Sequence, residues 1–199
     1  MTRTRVRLAW TVAGLELEAI EPTAGEVAAV AADLAEAYND PANATLLGHV
    51  ETMTQGDVIE HYADLADAGA RQFLLYVDGA LAGDADLRGE EDAAAEFAFL
   101  IARPGAQGKG LGTRFAKMLH VFGFTAPPLG MGLERIYASV LPDNVASLRV
   151  FAKLGYREDP SPSARVWADD PADVVLAISR DGFAEAHPDA FTQVSIRAR

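Results

Sequence analysis

The residues best suited to chemistry form one run, Arg103-Pro-Gly-Ala-Gln107-Gly-Lys-Gly-Leu-Gly112-Thr-Arg114. At Gly108, Gly110 and Gly112 no side chain stands between the backbone and an approaching group. The apolar segment Ala94–Ala102 precedes the run and the amphipathic segment Gly110–Phe124 follows it, so the run reads as a strand–turn–helix junction. The first amides of a helix have no partner within it and lie at the positive end of its dipole, which favours an anion there. Lys109 and Arg114 add formal charge. The surroundings agree: Phe97–Leu133 holds no Asp or Glu, where even placement of the acids would put about five. The same stretch carries Arg103, Lys109, Arg114 and Lys117. Phosphate is the expected ligand.

Other phosphate loops use similar letters. A Walker A loop needs Gly-Lys-Ser/Thr, and here Gly110-Leu111 follows the lysine. A dinucleotide fingerprint needs a glycine three residues after Gly110, where Thr113 stands, and an acid at the end of the next strand; the next carboxylate is Glu134. A glycine-rich helix start without a ligand is the remaining alternative.

A second run, Asn144-Val-Ala-Ser147-Leu-Arg-Val-Phe151-Ala-Lys153-Leu-Gly155-Tyr156, lies downstream. Together the two resemble the GNAT superfamily of N-acetyltransferases. Gln107–Gly112 is similar to that family's Gln/Arg-x-x-Gly-x-Gly/Ala motif, and Asn144–Tyr156 to its Asn-x-x-Ser/Ala…Lys-x-Gly-Phe/Tyr helix. Trp167 and Asp173–Leu176 resemble its closing strand, and the likeness covers about Arg71 to Arg180.

The resemblance implies a mixed α/β (α+β) fold whose sheet splits centrally, between the strand ending near Ala102 and the strand Arg135–Leu141. It implies acetyl-CoA as acyl donor. The pyrophosphate would lie on Gln107, Gly108, Lys109, Gly110, Leu111, Gly112, Thr113 and Arg114, and the pantetheine arm would pair with the backbone of Leu100, Ile101, Ala102 and Arg103. Asn144 would bond that arm, and Phe151 would lie near the thioester. The acceptor would be a primary amine of a small molecule or peptide, and a homodimer is compatible with the family.

Amide formation needs a neutral amine, a path for its proton and a stabilised oxyanion. Glu96 is the first candidate base, as the one charged residue of Ala93–Ala102, eleven residues before Gln107, where some family members use a glutamate. A carboxylate among apolar groups has a raised pKa, closer to what a base needs near neutrality. Equally, Glu96 could sit at a wet strand end or balance an arginine. Phe151 stands where many relatives carry a tyrosine acid, which leaves Ser147 and Tyr156 as substitutes. The same phenylalanine motivates the alternative function, a non-catalytic acyl-CoA sensor.

These residues need a frame of strands and helices. Leu15–Ile20 alternates as a strand; Thr23 and Glu26 form a capping box that opens a helix with Val27, Val30, Leu34 and Tyr38 inward; Asn39-Asp40-Pro41 ends it. A linker runs to Thr54, which starts a second helix with Ile59, Tyr62 and Leu65 inward. Asp78-Gly79 between Gln72–Val77 and Leu81–Leu87 marks a hairpin, and Gly89–Asp92 is the turn before the third strand of that group, Ala94–Ala102. Arg135–Leu141, the helix Asn144–Leu154 ended by Gly155, Val174–Ser179 and a final edge strand complete the order.

Composition bounds the rest. The 199 residues, half of them hydrophobic, suit one domain spanning 1–199. With no cysteine and four scattered histidines, His49, His61, His120 and His187, no metal site is expected. The net charge of −12 disfavours nucleic acid and suits a cationic acceptor, with Glu16, Glu18, Asp84, Asp86 and Glu90–Asp92, all outside the cofactor loop, as the acids from which its flanking groups would come. The apolar part of the N-terminus is short and interrupted by Glu16 and Glu18, so a cytoplasmic chain without membrane contact is expected.

Overall fold

The computed structural model describes residues 4–47, 51–102 and 109–199. The first hairpin comprises β1 (Val6–Val12) and β2 (Leu15–Ile20). Val6, Leu8 and Trp10 point inward at period two, and Ala13-Gly14 turns the chain with positive φ at both positions, as a tight primed hairpin requires. Sequence reasoning starts the first strand at Leu15. It passes over β1, whose alternation is interleaved with Arg5 and Arg7 and so resembles the charged end of a leader.

Helix α1 (Ala24–Asn39) begins with the expected capping box: Glu26 N donates to Thr23 Oγ1, and Thr23 N donates to Glu26 Oε2. The segment after it is not simply a linker. Asp40 Oδ1 accepts from Ala42 N at 2.9 Å and Asn43 N at 3.3 Å, and so opens a short helix, α2 (Pro41–Leu47). In α3 (Gln55–Asp67), capped by Thr54, the buried stripe is Val58 and Tyr62, with Leu65 half-buried. Ile59, expected inside, faces solvent; the stripe is rotated by one residue.

The strands β3 (Arg71–Val77), β4 (Ala80–Glu91) and β5 (Ala94–Ile101) form an antiparallel meander. Glu90 and Glu91, read as turn, extend β4; the turn itself is Asp92-Ala93, both at positive φ. Then follow α4 (Leu111–Phe124), β6 (Arg135–Val140), α5 (Val145–Leu154), β7 (Arg157–Glu158), a 3₁₀ turn at Arg165–Trp167, β8 (Val174–Ser179), α6 (Arg180–Ala186), α7 (Ala190–Gln193) and β9 (Ser195–Ala198). Trp167 therefore lies in the turn before the closing strand and stacks on Tyr137, with ring centroids 5.0 Å apart. The expected edge strand is β9, which pairs with β1.

One nine-stranded sheet results, in the order β7-β8-β6-β5-β4-β3-β2-β1-β9. Of its pairings only β5–β6 is parallel, and it is short: Ala94, Ala95 and Glu96 oppose Arg135, Ile136 and Tyr137. Beyond Glu96 the two strands part while β5 continues to Ile101. This is the central split that the fold class requires. On one face α4 packs over Phe73, Leu87 and Phe97; on the other α1 and α3 pack over Leu74 and Leu100.

A bulge controls which β4 residues reach which face. Tyr76 opposes Leu81 but Leu75 opposes Gly83, so Ala82 is extra. A Cβ at Gly83 would lie 1.9 Å from Leu100 O, closer than any atom tolerates, so glycine is required there. Leu81 and Asp84 consequently share the α1/α3 face, and Asp86 and Arg88 follow at period two. A second fixture lies at the far end of the meander. Arg71 binds Glu21 through Nε–Oε1 at 2.5 Å and Nη2–Oε2 at 2.7 Å, and Glu21 Oε2 also accepts from Val6 N.

Gly83→Ala should therefore destabilise the fold by about 3 kcal/mol or more, the upper end of overpacking costs. Chemical denaturation of the purified variant would read the loss, and parental stability would show that β4 can shift away from Leu100.

Candidate active site

The split between β5 and β6 opens into a cavity of about 490 Å³. One wall is the α1/α3 face of β4 and β5, another the end of β6 with the start of α5, and the third the segment before β8. Leu100, Asn144, Ser147, Phe151 and Glu96, all expected at the site, line this cavity together. Tyr156 does not. His120 Nδ1 donates to Ala116 O at 2.6 Å, so its Nε2 accepts from the Tyr156 hydroxyl at 2.5 Å. Burial pushes this histidine down to about 3, so it is neutral, and the pair lies in the core. Tyr156 cannot serve as the acid beside the cleft.

The expected anion-binding residues that are described lie at the start of α4. Gly110 caps the helix with φ 78°, and among the described residues a Cβ there would meet nothing within 4 Å. Gly112 has a different role: its Cβ would lie 3.1 Å from Phe99 and 3.4 Å from Val150, so glycine lets α4 approach β5 and α5 closely. Leu111 is buried, while Thr113 and Arg114 are half-buried and Lys109 is exposed. The first turn carries no acid. Lys117 is turned toward Trp10, 5.7 Å from its ring centroid, and serves the sheet face instead. The expected ligands Arg103, Gln107 and Gly108 lie outside the described residues, whereas Ile101 ends β5 and Ala102 follows, donating to Ala82 O at 2.8 Å.

Asn144 caps α5, accepting from Ser147 N at 3.0 Å, while its Nδ2 donates to Leu46 O of α2 at 3.1 Å. It therefore joins α2 to α5 across the cleft. Phe151 is buried in an aromatic cluster with Phe97, Phe99 and Tyr156.

The remainder of the cavity is acidic. Among the described residues, Asp84, Asp86, Glu96, Asp169, Asp170 and Asp173 line it, with Arg88 among them. Sequence reasoning singled out Glu96, Asp84 and Asp86 but passed over the other three, although the run Ala168-Asp-Asp-Pro-Ala-Asp173 is conspicuous in its acid density. Glu16, Glu18 and Glu90–Asp92, considered for the same role, are not in the lining; Glu18 pairs with Arg7.

Each carboxylate is held differently. Glu96 meets Arg88 in a bidentate pair, Nε–Oε2 3.1 Å and Nη2–Oε1 3.2 Å, so the reading of Glu96 as an arginine's partner describes its contacts. Burial raises its pKa and Arg88 opposes the rise. Asp84 Oδ2 accepts the hydroxyls of Tyr38 and Tyr62, the latter at 2.9 Å. Burial lifts Asp84 to about 6 against the lowering effect of those two bonds. Tyr38 and Tyr62, legible in the sequence only as stripe residues, thus carry site hydroxyls. Asp173 Oδ2 accepts from Ser139 Oγ at 2.7 Å, which in turn accepts from Asp169 N at 3.0 Å, fixing the third wall to β6.

Chemically, a helix start without acids packs through Gly112 against Phe99, whose other neighbours line the acidic cavity. Such an arrangement can hold an anionic donor and a cationic acceptor with their reactive ends together. The described residues contain no cluster of His, Cys, Asp or Glu able to hold a metal ion.

Residues 22–157 match the family described as acetyltransferase (GNAT) domain. Spermidine N(1)-acetyltransferase of Escherichia coli K12 is 35% identical over 92 residues, covering 45% of this chain and 47% of that one, so the match spans about half the length of this curated relative. Among solved structures, the aminoglycoside acetyltransferase AAC(6')-Ib with coenzyme A superposes with a TM-score of 0.70 at 21% identity, over 85% of this chain and 98% of that one. Spermidine N-acetyltransferase of Vibrio cholerae, with CoA and spermine, gives 0.65 at 18% identity, over 84% and 97%.

Tyr62→Phe should raise the Asp84 carboxyl above its value of about 6, because one of the bonds that favour its ionised form is lost. Carbon-detected NMR titration of the aspartate side chains would follow the shift, and an unmoved Asp84 would mean that Tyr38 alone sets it.

Proposed function

Because the chain belongs to the GNAT acetyltransferase family, with 136 of its 199 positions inside the family match at residues 22–157, we propose that it transfers an acetyl group from acetyl-CoA to a primary amine on a cationic small molecule. The observation that carries this reading is a cavity lined by six carboxylates, with the acid-free start of α4 packed through Gly112 against Phe99 of its lining. The helix start suits the donor's phosphates. The carboxylates suit an acceptor with more than one positive charge, such as a polyamine or amino sugar, and relatives named for spermidine and aminoglycosides support that class.

The chain's own residues divide the work. Lys109, Gly110 and Arg114 favour the donor's charge; β5 beyond Glu96, where its pairing with β6 has ended, lies along the course of an extended arm; Phe151 supplies an apolar surface beside it. Ser147, the hydroxyl on the cleft side of α5, is the acid we assign to the departing thiol. A thiol titrates near 8.5, so a thiolate is a tolerable leaving group and the demand on that acid is modest. A sensor that read acyl-CoA alone would have no use for the acidic pocket, which disfavours the non-catalytic alternative.

Acetyl-CoA should raise the melting temperature of the parent, since it binds the folded site. In Gly110→Asp that shift should vanish while the unliganded protein still folds cooperatively, at a melting temperature lowered modestly by a side chain at φ 78°, a strain that aspartate bears better than most residues. A parental shift in the variant would rule out the proposed donor site.

Thiol release with a panel of amines tests turnover directly. Di- and polyamines or amino sugars should be acetylated in preference to neutral and anionic amines. Raising salt should raise the acceptor's KM more than it lowers kcat, because exposed attraction is screened over about 8–10 Å at physiological strength. Donor binding without turnover on any amine would leave the sensor reading in place.

A further inference from the structure

The cavity holds one carboxylate that the contacts described so far leave unexplained. Asp86 projects from β4 between Asp84 and Arg88, its side chain only 15% exposed. Its Oδ1 is buried and accepts no hydrogen bond; the nearest cation, Arg88 Nε, is 3.6 Å away and bonds Glu96 instead. Across the ladder on β3 stands Gln72, whose Nε2 is likewise buried without a partner. Buried polar atoms are nearly always paired, so an unpaired acceptor beside an unpaired donor, both lining a cavity, marks a place built for a ligand group.

The other carboxylates are engaged. Both oxygens of Glu96 face Arg88, and Asp84 accepts two tyrosine hydroxyls. Asp173 also has a buried unpaired oxygen, but its carboxylate is already held by Ser139 at the start of β8. Position favours Asp86 as well. Its register partner on β5 is Ala98, two residues past the point where β5 loses β6. Ala98 is small, so no bulky side chain on that strand separates Asp86 from the open edge.

We infer that Asp86 receives the acceptor's ammonium and takes its proton, while the Arg88–Glu96 pair positions it. This rests on the acetyltransferase reading above. The ammonium gives one proton to Asp86 Oδ1, which passes it to water. The neutral nitrogen attacks the thioester carbonyl carbon; the C–N bond forms, the C–S bond breaks, and the second nitrogen proton leaves with the thiolate as thiol. Products are amide, free thiol and one proton released to solvent.

The electrostatics support the geometry. Burial pushes the Asp86 carboxyl up to about 7, with Arg88 opposing and Asp84, Glu96 and Asp169 reinforcing the rise. A base titrating near the working pH has both the right form and useful strength. The groups facing it are Asp84 and Arg88 on its own strand, Glu96 on β5, Asp169 before β8, Tyr38 on α1, and His61 and Tyr62 on α3; β3 contributes the uncharged Gln72.

The test is the pH dependence of kcat/KM for full-length parent, Asp86→Asn, Glu96→Gln and Asp173→Asn, with the best amine from the panel. The parent should lose activity on the acid side with a midpoint near 7. Asp86→Asn should bind acetyl-CoA as the parent does and melt no lower, since it removes a buried carboxylate, yet lose roughly 10²–10⁴ in rate together with the acidic limb. Glu96→Gln should keep the limb but move it to lower pH, because removing that negative charge and releasing Arg88 both favour ionised Asp86. Asp173→Asn should keep it near the parental position. A limb that survives in Asp86→Asn, or disappears in Glu96→Gln or Asp173→Asn, overturns the assignment. A parent that binds acetyl-CoA but acetylates no amine fails earlier, at the acetyltransferase reading itself.

Discussion

Everything functional in this molecule depends on a ladder that stops. Backbone N–H and C=O groups in a sheet interior are almost always paired, and β5 is an interior strand. Its pairing with β6 nevertheless ends after Glu96, while its pairing with β4 continues. The parted strands cannot close on each other. Phe97, Phe99 and Phe151 pack ring against ring beside the gap. An interior edge maintained in this way invites an extended molecule to complete it, much as an extra strand completes an exposed sheet edge.

The second organising feature is the segregation of charge along the cleft. Acids are absent from the segment that opens α4 and concentrated on β4 and before β8. Neighbouring carboxylates repel, so their grouping costs free energy in the empty protein. The fold limits the cost through specific partners: two phenols on Asp84, a guanidinium on Glu96, a serine on Asp173. These partners hold three of the six carboxylates in place and leave Asp86 as the acid with an open oxygen next to the split.

Much of this was legible in the residues alone. The Gly-rich junction, the Asn144 cap, the Asp78-Gly79 hairpin and the Thr23 capping box each have a short-range cause, and short-range causes can be read in sequence. The site's electrostatics were not. Glu96 stood out as a lone charge in an apolar strand, yet its partner Arg88 lies across a hairpin whose register depends on irregularities at both ends of β4. Tyr38 and Tyr62 fit an apolar stripe, and nothing local reveals that both hydroxyls converge on Asp84. The Ile59 error has the same origin: helical period fixes a stripe's spacing, whereas its rotation is set by what the helix packs against. Tyr156 looked available because its position beside Gly155 is near the motif, but His120, 36 residues earlier, draws its hydroxyl into the core.

The extra residue in β4 has a consequence for how such a pocket could change. In a strand, side chains alternate between faces, so one inserted or missing residue exchanges everything beyond it. Without the irregularity at Ala82, Asp84, Asp86 and Arg88 would turn beneath α4, and Ala85 and Leu87 would line the cavity. A single codon gained or lost would thus trade a wall of charge for a wall of methyl groups. The trade is barred in this chain, since it would drive three ionised groups into a core of phenylalanines and leucines. It becomes accessible only if the alternating letters of the strand change along with the phase, so the character of this wall is tied jointly to the length of β4 and to its polarity pattern.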